Sequence, residues 1–93
     1  MSGSEIVRMA KEQLVELTGL QADTVSGLQH EDDGWHVTIE LVDLKRIPES
    51  SDVLDTYDVL LDDTGMLINY QRVRRYLRGE TMEMEPAGEK RGG

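Results

Sequence analysis

The stretch WHVTIEL, residues 35–41, alternates without a break. Trp35, Val37, Ile39 and Leu41 fall on one side, His36, Thr38 and Glu40 on the other. A period of two with one apolar row is the mark of a half-buried strand in an antiparallel sheet, one face dry and one wet. A row headed by tryptophan needs a cover, and the rest of the chain must supply it.

The cover lies upstream. Val7, Ala10, Leu14 and Leu17 recur at helical spacing, with Arg8, Lys11, Glu12 and Glu16 between them. Ser2 and Glu5 stand three apart, the spacing of a capping box, and Gly19 suits the left-handed residue that ends a helix. The spacing predicts an amphipathic helix over residues 4–18. TVSGLQHE (24–31) then reads as a first strand weakened by Gly27, and EDDG (31–34) as the turn into the decisive stretch.

Downstream, VDLKRIPESSD (42–52) breaks the alternation, which predicts a bulge or bend near Val42 and a loop around Pro48. VLDTYDVLL (53–61) resumes it with Val53, Tyr57, Val59 and Leu61 inward. DDTG (62–65) is a hairpin turn with a glycine bulge, and MLINYQRVRRYL (66–77) is read as the last strand from its β-branched and aromatic content. Tyr70, Val73 and Leu77 in it also fit helical spacing. The fold class is α+β, an N-terminal amphipathic helix packed on one face of a four-stranded antiparallel β-meander. Residues 1–79 form a single domain, and 80–93, rich in charge, Pro and Gly without periodicity, form a flexible acidic tail.

Composition narrows the function. Ninety-three residues support one modest core, and without Phe it must be filled mainly by Leu, Val, Ile and Met. There is no Cys, hence no disulfide, thiolate nucleophile or Cys-ligated zinc. No apolar run approaches the roughly 20 residues of a membrane span, and the N-terminus lacks a secretory signal's apolar block. A cytoplasmic protein that does not bind membranes is expected. A net charge of −9 favours solubility and opposes binding to polyanions. Glycine-rich phosphate loops, nucleophile elbows and HExxH motifs are all missing from the sequence, so neither an enzyme nor a cofactor is expected.

Against that acidity, YQRVRRYLRGE (70–80) crowds Arg72, Arg74, Arg75 and Arg78 together. On a regular strand Tyr70, Arg72, Arg74 and Tyr76 share one face, and Val73, Arg75 and Leu77 the other. Interleaved aromatic and arginine side chains are what a single-strand nucleic-acid platform uses, which makes a small nucleic-acid-binding regulator the alternative reading. The acidic surround and the lack of an RNP-type motif weigh against it. Intramolecular pairing with Asp55 and Asp58 on the neighbouring strand, or docking of another protein, fits the charge better. Leu54 and Leu60 fall where a one-sided sheet should be polar and, with Ile68, and with Val42 and Leu44 if the bend turns them that way, predict a small apolar patch for a partner or for homodimerisation. His30 and His36 flank the first turn, and with Glu31 or Asp32 they offer at most a weak metal site, more simply read as two exposed strand-end histidines.

The ordered run GLQHEDDGWHVTIELVDLKRIPESSDVLDTYDVLLDDTGMLINYQRVRRYLRG (27–79) resembles the gas vesicle protein O family (GvpO). The likeness lies in the GW-led strand, the RIP turn followed by Asp52 and Leu54, the Tyr-containing strand, the Asp–Gly hairpin and the closing RVRRYLRG. VRMAKEQLVELTG (7–19) resembles the segment that precedes the domain in that family. The resemblance implies a non-catalytic accessory protein in the formation or organisation of gas vesicles, the gas-filled protein shells that give buoyancy. Its implied partners are other gas vesicle proteins, shell subunit or accessory, and its implied place is the cytoplasm or the vesicle itself. Partner-binding candidates are Arg46 of the RIP turn, Arg72, Arg74, Arg75, Tyr76 and Arg78 of the last strand, and Leu54 and Leu60. Family members often carry longer acidic or low-complexity N-terminal extensions, and a function housed there is not expected of a chain that starts so near the helix.

Overall fold

Ser2 starts the first element as predicted. Its hydroxyl accepts the Glu5 N–H at 3.3 Å, and the Glu5 carboxylate accepts the Ser2 N–H at 2.9 Å. The helix α1 (Gly3–Thr18) follows and ends at Gly19, whose φ of 75° is left-handed and whose N–H closes on the Val15 carbonyl. The computed structural model describes residues 2–79; the tail predicted over 80–93 lies outside the described residues.

Four strands come next: β1 (Gln21–Glu31), β2 (Gly34–Leu44), β3 (Val53–Leu61) and β4 (Leu67–Leu77). They pair antiparallel in the order β1-β2-β3-β4, so chain order equals spatial order and β1 and β4 are the edges. This is the predicted α+β architecture. β1 begins three residues earlier than its sequence pattern indicates, because Asp23 and Ser26 are extra residues in its pairing with β2 and obscure the alternation. The predicted irregularity near Val42 is a register shift between Val42 and Leu44, with Asp43 as the extra residue.

Gly34 is required by the fold. Its φ is 134°, and a Cβ there would strike the Leu61 carbonyl oxygen on β3. At the opposite end of the sheet, Gly79 N–H donates to the Ser50 carbonyl at 2.8 Å, and a Cβ on Gly79 would press on Ser50. The chain thereby closes β4 over the loop between β2 and β3, which contains a short 3₁₀ turn, Glu49–Ser51.

The core lies between α1 and one face of the sheet. Ile6, Ala10 and Leu14 meet Val37, Ile39, Leu41, Val59 and Leu61, all buried. Two expectations are corrected here. The dry stripe of α1 runs through positions 6, 10 and 14, four apart, whereas Val7 is half-buried and Leu17 is 56% exposed. Leu17 belongs to the last turn, on the side rotated off the sheet. Trp35 is half-buried at the margin of the core, its ring stacked on His30 with centroids 4.3 Å apart. Gln13 fastens the helix to the far hairpin: its Nε2 donates to the Gly65 carbonyl at 2.8 Å and its Oε1 accepts the Leu67 N–H at 2.9 Å.

Candidate partner-binding surfaces

β4 carries the arginine run along one edge of the sheet. Its pairing with β3 shifts between Thr56 and Tyr57, opposite Arg74 and Arg72, so Val73 is an extra residue. A one-residue insertion turns every later side chain to the other face. Arg72, paired with Tyr57, and Arg75, paired with Asp55, therefore both sit on the helix side. Arg74 and Tyr76 sit on the open side with Thr56 and Leu54. The single face expected for Tyr70, Arg72, Arg74 and Tyr76 does not form: the bulge divides the platform on which a nucleic-acid reading depends.

Each of the four arginines reaches a carboxylate. Arg75 bridges two: its Nε donates to Asp55 Oδ1 at 3.2 Å and its Nη2 to Asp43 Oδ2 at 2.6 Å. Arg78 does likewise, to Asp52 Oδ2 at 3.2 Å and Asp23 Oδ1 at 2.9 Å. Arg72 approaches Asp55 at 3.9 Å, and Arg74 approaches Glu40 at 4.0 Å. The expected partner Asp55 is thus found. Asp58, for which no arginine ion pair is seen among the described residues, faces Gln71 in the register and accepts the Thr38 hydroxyl at 3.3 Å.

The anchoring carboxylates are buried while the guanidinium groups are not. Asp52, Asp55 and Glu40 are almost fully buried. The side chains of Arg72, Arg74, Arg75 and Arg78 retain 47%, 37%, 43% and 31% of their exposure. The two buried aspartates differ. The Arg46 N–H, donated to Asp52 Oδ1 at 2.7 Å, holds the Asp52 carboxyl below the usual range, helped by Arg78 and Lys45. Burial pushes Asp55 up, and the neighbouring Asp43 carboxylate pushes the same way against Arg75.

On the open face a polar cluster forms around Glu40. Oε1 accepts the Thr56 hydroxyl at 2.6 Å and the Tyr76 hydroxyl at 2.9 Å, and Oε2 accepts the Ser26 hydroxyl at 2.9 Å. The Arg74 Nε donates to the Thr56 hydroxyl at 3.2 Å, and its guanidinium lies 5.1 Å from the centre of the Tyr76 ring. Burial, with Glu40 beside it, pushes the Tyr76 phenol up to about 12. Neither Glu40 nor Asp52 is among the candidate site residues expected from the sequence, where Asp52 enters only as part of the RIP-turn likeness. Glu40 could have been flagged as a lone carboxylate in mid-strand, on the same face as the hydroxyl of Thr38.

The apolar patch expected on the open face is corrected. Leu54 is 3% exposed, Leu60 is half-buried, and Thr56 and Asp58 separate them along β3. Val42 is buried too, while Ile68, displaced by the register shift at the start of β4, is 54% exposed. Beside Leu60 a shallow open-face cavity of about 190 Å³ is lined by His36, Asp58, Val59, Asn69 and Gln71. The two histidines do not oppose each other. His36 faces Gln29, and His30 faces Trp35 across the ladder. His30 Nε2 lies 3.0 Å from Asp63, and His36 Nε2 lies 2.7 Å from Asp33 and 3.8 Å from Glu31. The hydrogen bond to Asp33 raises His36 above its ordinary value. Glu31, Asp33 and His36 converge within 4.8 Å but stand exposed at the turn, already bonded among themselves. Arg46, at the loop between β2 and β3, is exposed and has no carboxylate at ion-pair distance among the described residues.

The profile of the family described as Gas vesicle synthesis protein GvpO matches residues 1–82. The chain belongs to the GvpO family. It is 42% identical over 80 residues to Gas vesicle protein O of Streptomyces sp. (strain CB03234), covering 86% of this chain and 62% of that protein. It is 30% identical over 74 residues to Gas vesicle protein O1 of Halobacterium salinarum, covering 80% of this chain and 62% of that one. Gas vesicle protein O of Haloferax mediterranei is 37% identical over 51 residues, 55% of this chain and 36% of the relative. The chain thus spans less than two-thirds of the length of these curated GvpO relatives. No solved structure matches it significantly. No helix among the described residues is long and apolar enough to cross a membrane.

Proposed function

We propose that this GvpO chain serves gas vesicle formation as a non-catalytic accessory protein of the cytoplasm, acting by binding other gas vesicle proteins, shell subunit or accessory. Its contact surface is the β4 edge with Arg72, Arg74, Arg75, Tyr76 and Arg78, extended by Leu60 on the open face and by Arg46 at the adjoining loop. Family membership supports the process. The mode of action rests on one observation: buried carboxylates hold four arginines whose guanidinium groups stay part-exposed at a strand edge. An arginine has five N–H donors in a fixed fork. When one or two are occupied by an internal acceptor, the side chain is ordered and the others remain for a partner, which lowers the entropy lost on docking.

The test is co-purification from cells expressing a gas vesicle gene cluster. The tagged chain is expected to bring down at least one other gas vesicle protein, and its deletion to impair vesicle formation. Arg72→Gln with Arg74→Gln, folded as judged by circular dichroism, is expected to lose that partner. Intact vesicles after deletion together with no captured gas vesicle protein would end the proposal.

A further inference from the structure

The loop between β2 and β3 shows apolar surface in an unusual way. Ile47 is 98% exposed, and Leu44, three residues before it, is 48% exposed. Between them stand the cations of Lys45 and Arg46, both exposed. Single exposed hydrophobic residues are ordinary on a surface, but an aliphatic side chain that touches almost nothing of its own protein is at the limit of the range.

The backbone carrying Ile47 is tied down on several sides. The fully buried carboxylate of Asp52 accepts the Arg46 N–H at 2.7 Å, beside Ile47, and its other oxygen receives Arg78 at 3.2 Å with Lys45 at 3.7 Å. Ser51 N–H closes on the Pro48 carbonyl and Asp52 N–H on that of Glu49, both at 2.9 Å. Just past β4, Arg78 N–H reaches the Asp52 carbonyl and Gly79 N–H the Ser50 carbonyl. These bonds order the loop and hold Ile47 outward, so docking through it orders little further chain.

We infer that residues 44–47 form a second docking element, in which Ile47, with Leu44 beside it, inserts into an apolar pocket rimmed by carboxylates on another protein. The inference deepens the reading above, that the chain works by binding other proteins, and names the chemistry of one contact. Charge selects the occupant. Lys45 and Arg46 flank the apolar tip, and the Arg46 guanidinium, unlike those of β4, has no internal carboxylate at ion-pair distance among the described residues. Aspartate or glutamate at the rim of the pocket would complete it. An anionic lipid surface presents the same sign of charge, but it would meet a molecule of net charge −9 along a broad front and gain only two aliphatic side chains. A protein pocket touches the loop alone.

The experiment replaces Ile47 by the photoreactive residue p-benzoylphenylalanine in the full chain, and separately Tyr70 on β4, in cells making gas vesicles from a complete gene cluster. Irradiation at position 47 is expected to give one protein adduct whose cross-linked peptide has apolar residues flanked by Asp or Glu. Ile47→Ser and Arg46→Glu, with unchanged melting temperature, are then expected to weaken binding of that protein, Ile47→Ser by roughly thirty-fold. Adducts only with a second copy of the chain, only with lipid, or with a peptide lacking acidic residues would overturn the inference. So would the absence of an adduct at position 47, or undiminished binding after Ile47→Ser. In those cases a gas vesicle protein captured through position 70 leaves the proposed function standing. An adduct of the expected chemistry with a protein outside the gas vesicle set would do the opposite, keeping the docking element and ending the proposed function.

Discussion

The two faces of this sheet are both dry at their centres, by opposite means. On one face α1 lays Ile6, Ala10 and Leu14 over Val37, Ile39, Leu41, Val59 and Leu61. On the other no helix of the described residues lies, yet Glu40, Thr56 and Leu54 are at most 3% exposed. Their cover comes from the edge strand: Arg74 and Tyr76 of β4 bond to the Thr56 and Glu40 beside them. The helix side is held by burial without direction, so shape and volume decide it. The open side is held by directed hydrogen bonds converging on one carboxylate, so it depends on every donor keeping its acceptor. Among the described residues, a single α-helix and one edge strand thereby shield both faces of the sheet.

The contrast can be broken first where it is strongest. Ile39→Ala removes a fully buried side chain between helix and sheet and is expected to cost about 4 kcal/mol, read as a large fall in calorimetric melting temperature. Glu40→Leu tests whether the open face obeys the same rule. If burial alone mattered, leucine would be tolerated there. Three hydroxyls would instead lose their acceptor, and a loss of roughly 3 kcal/mol is expected. Glu40→Gln, which keeps an acceptor oxygen, is expected to recover most of it. A Glu40→Leu variant as stable as the parent would show that the polar cluster is incidental.

A finer contrast separates the two buried aspartates behind the arginines. Asp52 has a depressed folded value, so its contribution is present above the ordinary carboxylate range and fades as pH falls through that depressed value. Asp55 has a raised folded value, so its contribution is present below its unfolded value and fades as pH rises through the raised one. Melting temperatures followed from neutral pH down into strong acid, below the ordinary carboxylate range, should therefore diverge. Asp52→Asn is expected to cost more at neutral pH than in acid. Asp55→Asn is expected to show a penalty that does not grow with pH in that way. Parallel pH profiles for the two variants would remove the distinction.

What the sequence made legible is local. The alternation of WHVTIEL, the Ser2–Glu5 cap and the Asp–Gly hairpin are short-range signals, and each sits where the pattern puts it. The bulge at Val73 is not local: extra residues are defined only against a partner strand, and RVRR alternates as well with one as without. For the same reason the face assignment of Arg74 against Arg75 could not be read in advance. The carboxylate partners were half legible. Asp55 is the cross-strand neighbour, but Asp43, Asp52 and Asp23 come from a bulge, a loop and the opposite edge strand, joined only when β4 closes on the sheet. The dry stripe of α1 was misread by one position because Ile6 and Val7 are equally apolar, and only the crossing of helix on sheet chooses between them.

The smallest expected effect on stability bears most directly on function. Arg72 touches Asp55 at 3.9 Å only, while Arg75 binds the same carboxylate at 3.2 Å and Asp43 at 2.6 Å. Asp55 therefore keeps its stronger partner when Arg72 is replaced. Half-exposed ion pairs of this kind contribute about 0–1 kcal/mol, and Arg72→Gln is expected to lie within that range in denaturant titration. A residue that adds so little to the fold yet is held at a strand edge by a buried carboxylate is free to serve a contact. The same variant should then reduce capture of a gas vesicle partner while leaving the unfolding midpoint nearly unchanged. A substantial loss of stability would instead make Arg72 part of the internal charge balance, and would move the partner surface toward the loop that carries Arg46 and Ile47.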